Sequence, residues 1–156
     1  MTTISTARQY FDQVVAYNVQ QYKAQPTSLP AAFNLASSLF SMHEWMWHTY
    51  GNALGANLGS ARDFNSHVQT ACPAFKHMRD LANASKHVFL SSPSTQAAHI
   101  TDTSAVESRY GKGAYGRGKY GRGVVVIDDG GTKVDFENTA DEVYKYWEDL
   151  LNDMGS

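Results

Sequence analysis

The sequence predicts a mainly α-helical protein: a bundle of four to five helices with a small β-hairpin inserted before the C-terminal helix. Three observations carry this expectation. Apolar residues recur at helical spacing through five separate stretches. A β-branched run, Val124 to Ile127, and a second extended segment, Thr132 to Phe136, flank the turn-forming residues Asp128, Asp129, Gly130 and Gly131. A chain of 156 residues with 42% hydrophobic and 12% aromatic content suits a single domain, residues 1–156, with a core of its own.

The first helix is expected over about residues 5–23, with Ser5 or Thr6 as its cap and Phe11, Val14, Val15 and Tyr22 on one stripe; Pro26 and Pro30 interrupt the segment after it. Asn18 falls inside that stripe, so it is expected to find a hydrogen-bond partner within the bundle. The second helix, about 29–50, has a wide apolar arc (Phe33, Leu35, Ala36, Leu39, Phe40, Met42, Met46, Trp47) and belongs at the centre. His43 sits within the arc and is expected to be buried and hydrogen-bonded. His48 falls on the polar side, so the two histidines of HEWMWH do not form the i, i+4 pair that a metal motif requires.

Glycines at 51, 55 and 59 separate this helix from a shorter one over about 60–71, where Ser60 and Asp63 have capping spacing. Pro73 suits the first turn of a fourth helix, about 73–90, before the break at Ser91, Ser92 and Pro93. Residues of about 97–136 form a β-strand and glycine-rich insertion. Within it a five-residue repeat, YGKGA, YGRGK, YGRGV, starts at Tyr110, Tyr115 and Tyr120. The last helix, about 139–154, is expected to start at a Thr139/Glu142 capping box and to bury Val143, Trp147, Leu150 and Met154.

Charge is distributed unevenly. Residues 109–123 hold Arg109, Lys112, Arg117, Lys119 and Arg122 and no acid, while the rest of the chain carries the other 8 basic and all 15 acidic groups. Attraction to a polyanion is therefore expected to be local. The single cysteine, Cys72, excludes an internal disulfide framework and a cysteine-rich zinc site and fits a reducing, cytoplasmic setting. The absence of a long apolar run argues against a membrane span.

The chemistry-bearing residues cluster on the fourth helix. Phe75, Met78, Leu81, Ala82, Ser85, Val88 and Phe89 fill one arc, and Lys76, His77, Arg79, Asp80, Asn83, Lys86 and His87 fill the other. Arg79, Asn83 and His87 follow at four-residue intervals, so neighbours in that ladder can touch. Arg and His together suit phosphodiester cleavage, since His exchanges a proton near neutral pH and Arg stabilises charge on a phosphate. Lying opposite the core arc, both are expected to be dispensable for folding. His77 and Asp80 share a face, but with no second pair of ligands in the pattern neither a metal nor another cofactor is expected. The Tyr, Gly and Arg/Lys repeat is a second pointer to nucleic acid, because cations neutralise phosphates and Tyr115 and Tyr120 can stack on unpaired bases.

A helical bundle with a late helix reading Arg79-Asp80 and then His87 resembles the HEPN group of small bacterial and phage-related proteins, many of them ribonucleases of toxin and defence systems. The resemblance implies a homodimer in which Arg79, followed by a polar Asp80, and His87 meet across the interface to cleave RNA without metal, with Asn83 between them. The seven residues between Arg79 and His87 exceed the interval usual in that group. Two functions stay open: a nucleic-acid-directed protein, with RNA cleavage as its specific form, and a noncatalytic interaction or regulatory protein that presents the same polar face to a protein partner.

Overall fold

The computed structural model describes residues 3–55, 57–85, 100–106 and 124–155. They form five helices and a β-hairpin that precedes the C-terminal helix, with one further strand paired to the hairpin. Lys86, His87 and the expected continuation of the fourth helix to residue 90 lie outside the described residues. So do Arg109, Lys112, Tyr115, Arg117, Lys119, Tyr120 and Arg122 of the basic repeat.

Helix α1 comprises an α-helical turn, Ala7–Tyr10, a π-helical turn, Phe11–Val15, and an α-helical stretch, Ala16–Ala24. Thr6 caps it by accepting from the Gln9 N–H. The π turn takes in one extra residue, which sets the helix phase back by about 100°. The inward face accordingly runs through Ala7, Phe11, Val15, Val19 and Tyr22. Asn18 is rotated off it: the side chain is half-buried, and it makes no hydrogen bond among the described residues. Both expectations for Asn18 are corrected by this one turn, which a uniform period of 3.6 cannot register.

Helix α2, Leu29–Tyr50, is capped by Ser28 with Pro30 in its first turn and runs through the middle of the bundle. It buries Ala32, Leu35, Ala36, Leu39, Met42, His43 and Met46. A 3₁₀ turn, Gly51–Leu54, leads toward α3, Ala61–Ala71, where the Ser60 hydroxyl accepts from the Asp63 N–H and donates to its carboxylate. Helix α4, Phe75–Ala84, starts two residues later than expected because Cys72, Pro73 and Ala74 form a turn whose carbonyls accept from Phe75, Lys76 and His77. Its core face is Phe75, Met78, Leu81 and Ala82, as its spacing predicts.

Strands β1, Ile100–Val106, β2, Val124–Asp129, and β3, Thr132–Asp135, form an antiparallel sheet in that order. The β2–β3 connection is the two-residue turn Gly130-Gly131, with φ of 59° and 96°. Only glycine takes such angles freely, and they give the twist a tight hairpin needs. Val125 and Ile127 face the helices and are fully buried. Helix α5, Phe136–Asp153, begins three residues before the expected start. Asp135, the last strand residue, is the actual cap, accepting from the Asn138 N–H, while Thr139 is an interior residue whose hydroxyl donates to the Asp135 carbonyl. The inward stripe of α5 is Phe136, Ala140, Val143, Trp147 and Leu151; Leu150 and Met154 are half-buried at its edge.

One hydrophobic cluster joins all five helices and β2. Trp147 is its hub, packed against Phe64, Phe75 and Tyr146, with its indole N–H donating to the Leu39 carbonyl at 3.0 Å. Among the described residues no helix is long and apolar enough to cross a membrane.

Candidate functional site

The polar residues of α4 are held in two places, one against α3 and one against the hairpin. On the α3 side, Arg79 donates from Nε to the Asp80 carboxylate at 2.7 Å and from Nη1 to Gln69 Oε1 at 2.6 Å. Gln69 Nε2 donates to Asn65 Oδ1 at 2.5 Å, and Asn65 Nδ2 lies 3.2 Å from His43 Nε2. His43 Nδ1 lies 2.6 Å from the Phe40 carbonyl. Since a carbonyl only accepts, Nδ1 carries the proton and Nε2 is left with a lone pair for the Asn65 amide. A continuous seam of side chains therefore joins α4 to α3 and α3 to α2.

The seam is largely closed to solvent. Asp80 is 3% exposed and His43 5% exposed, and the Arg79 side chain is 15% exposed. Helical phase predicts both Asp80 and Arg79 on the solvated arc; the two are instead folded in. An aspartate next to an arginine can turn back across its own helix, and α3 supplies the amide that extends the pair. Buried charges persist when they are paired and hydrogen-bonded, and here each partner meets that condition. Arg79 Nη2 is an exception: it is buried and has no hydrogen-bond partner among the described residues.

His43 is the buried, hydrogen-bonded histidine that its register predicts. Burial pushes its pKa below the ordinary 6.5, against the opposing pull of the Phe40 carbonyl and of the Glu44 carboxylate 4.0 Å away. It is neutral at physiological pH. The rings of Phe40 and Phe75 pack against it at 4.7 and 6.0 Å between centroids.

On the hairpin side, His77 Nε2 meets the Asp129 carboxylate at 2.9 Å, tying α4 to the end of β2. His77 Nδ1 is buried without a partner among the described residues. Next to it, Asp128 accepts from the Gly131 N–H and from Lys133, which fixes the turn that presents Asp129.

Asn83 is half-buried and makes no side-chain hydrogen bond among the described residues, so the Arg79 to Asn83 contact of the expected ladder is not formed. Arg79 turns sideways to Gln69 instead. His48 is exposed, as expected, and lines a shallow groove with Ile4, Ser5, Glu44 and Trp45. Among the described residues no group of three or more His, Cys, Asp or Glu side chains is close enough to hold a metal ion.

Sequence reasoning does not find Asn65, Gln69 and Asp129 as site residues. Asn65 and Gln69 are at i, i+4 on the face of α3 beside the buried Phe64 and Val68, a weak sign of a polar contact at a helix interface. Nothing in the sequence says that the contact is Arg79.

The fold and the seam define a small helical bundle whose polar residues are organised between helices. No family model, curated protein or solved structure matches the chain.

Proposed function

We propose that the protein is directed at nucleic acid, and that its specific activity is metal-independent RNA cleavage with Arg79 as the phosphate-facing cation and His87 as the proton carrier. The observation that supports this most is the state of Arg79. Its guanidinium is fixed at Nε by Asp80 and at Nη1 by Gln69, and the remaining amine, Nη2, is buried with no partner among the described residues. A preorganised cation with a donor to spare is what stabilising a phosphate charge requires, and because Nη2 is buried the reading also requires the side chains over it to open for the phosphate. The HEPN-like motif supplies the histidine and implies a homodimer that would complete the site. The basic tyrosine and glycine repeat would hold the strand.

The test is cleavage of a mixed RNA by the wild type, His87→Ala and Arg79→Lys, with and without chelator. Lysine keeps a charge beside Asp80 and gives up the fork of donors. Both variants are expected to lose about 10²-fold or more, the usual size of an acid–base or charge-stabilising contribution, and chelator is expected to change nothing. A wild type that cleaves no RNA, or three proteins that cleave alike, would sink the nuclease.

The basic segment makes a separate prediction. Neutralising Lys112, Arg117, Lys119 and Arg122 together is expected to weaken binding of single-stranded RNA and to flatten its dependence on salt, because a phosphate that no cation neutralises keeps its counterion. Affinity and salt slope that both stay at the wild-type values would remove the repeat from the proposal.

One observation favours the second reading, a noncatalytic interaction or regulatory protein of bacterial or phage origin. Two of the three guanidinium nitrogens of Arg79 are engaged inside the fold, as a strut between α3 and α4. Under that reading the wild type cleaves nothing.

A further inference from the structure

We infer that His43 is a positioning residue for Arg79, acting through Asn65 and Gln69, and that it holds the guanidinium in place only while it is neutral. The relevance to cleavage rests on the role proposed for Arg79 above; the hydrogen-bond chain itself does not.

Every bond in the seam points the same way: Arg79 Nη1 donates to Gln69, Gln69 to Asn65, Asn65 to His43, and His43 to the Phe40 carbonyl. Each of the two amides has its oxygen toward α4 and its nitrogen toward His43. An amide can be turned over, but neither can turn alone, because its neighbour would then face donor with donor or oxygen with oxygen. The fixed ends are Arg79, which only donates, and the Phe40 carbonyl, which only accepts.

Protonating His43 changes the inner end. Nε2 becomes a donor and can no longer accept from Asn65. Asn65 must turn to offer its oxygen, and its nitrogen then meets Gln69. Gln69 answers by turning its own oxygen inward, which places its NH₂ against Arg79 Nη1. Two donors now face each other, and Arg79 keeps Asp80 as its remaining partner in the seam. A proton taken up at His43 is thereby felt at the guanidinium two side chains away, with no movement of the backbone.

The surroundings favour the neutral state. The charged group that contacts His43 is Glu44 of its own helix, at 4.0 Å and with its side chain 75% exposed; α3 presents the Asn65 amide, and α4 the ring of Phe75. Burial lowers the pKa, so the change falls on the acid side of 6.5. At pH values between the lowered folded pKa and 6.5 the unfolded chain binds the proton and the folded chain does not, so stability falls as pH drops through that window.

The experiment is a pH titration of the isotope-labelled full chain by NMR. The His43 ring nitrogens, the Asn65 and Gln69 side-chain amides and the Arg79 Nε–H are expected to shift together, with one midpoint below pH 6.5. In His43→Gln a side-chain NH₂ can still donate to the Phe40 carbonyl and an oxygen still accept from Asn65, with nothing to protonate, and the amide and Arg79 signals are expected to stay flat. In Asn65→Ala, His43 is expected to titrate while Gln69 and Arg79 no longer follow. Wild-type amide and Arg79 signals that stay fixed while His43 titrates overturn the inference, and so does an equal Arg79 shift in either variant. The wild-type titration decides the matter even if a variant does not fold. It reads Arg79 without substrate, so a protein that fails to cleave RNA would refute the nuclease and leave this result standing.

Discussion

Replacing Arg79 with alanine is expected to cost the fold about 3–5 kcal/mol, because it strands the Asp80 carboxylate in a site where it is 3% exposed. Gln69 Oε1 loses its donor in the same step. Urea unfolding of the variant should show a lower midpoint with the slope unchanged. The companion substitution separates the charge from the packing: Arg79→Ala combined with Asp80→Leu removes both ions and is expected to recover most of the loss, since an apolar replacement of a buried pair is often neutral or better. An Arg79→Ala protein as stable as the wild type would show that the pair is solvated in solution. Helical phase alone sets Arg79 opposite the core and makes it dispensable for folding; the seam reverses that expectation, and it is why Arg79→Lys, not alanine, is the informative variant in a cleavage assay.

The other large effect is expected at Trp147. Truncation to alanine removes the ring that Phe64, Phe75 and Tyr146 pack on and is expected to destabilise by about 3–5 kcal/mol, the usual cost of deleting a fully buried aromatic. Trp147→Phe retains most of the packing and gives up the indole donor to Leu39, a neutral hydrogen bond of about 1 kcal/mol. Thermal unfolding should therefore rank wild type, phenylalanine and alanine in that order with a wide gap before the last. A small gap would mean that Tyr146 and Phe75 close over the cavity.

The elements are legible in the sequence because each is written locally. Periodicity marks the helices, Ser60 and Asp63 mark a start, and the β-branched run with its two glycines marks the hairpin. Sequence reasoning fails where one local signal competes with another. Thr139 and Glu142 have capping-box spacing, yet Asp135 takes the cap because the strand ends there and delivers its carboxylate to the first turn. Leu150 and Leu151 flank the same apolar stripe of α5 on either side, and it is packing against the other helices, which periodicity does not contain, that buries Leu151. Of the candidate site, His43 can be read because burial of one residue in a wide arc is a property of one helix. The partners of Arg79 and His77 cannot, because Gln69 and Asp129 come from other elements and their nearness is a product of packing. Asp80 is misplaced for a related reason: a helical wheel gives the direction of Cβ, and a short carboxylate next to an arginine is steered by the ion pair.

The π turn in α1 has a consequence for chain length. Ala7 before it, Phe11 at its start, and Val19 and Tyr22 beyond it share a narrower inward stripe because one residue more than an α-helix needs lies between them. Asp12 and Gln13, both exposed, are where that surplus can be removed: deleting either would let the turn relax to an ordinary α-helix with both flanks in their present places. The same deletion within α2 or α5 would rotate half the helix by about 100° and turn its apolar stripe outward. In lineages of this protein, length variation inside a helix is therefore expected here, and relatives one residue shorter at this point would share the same core.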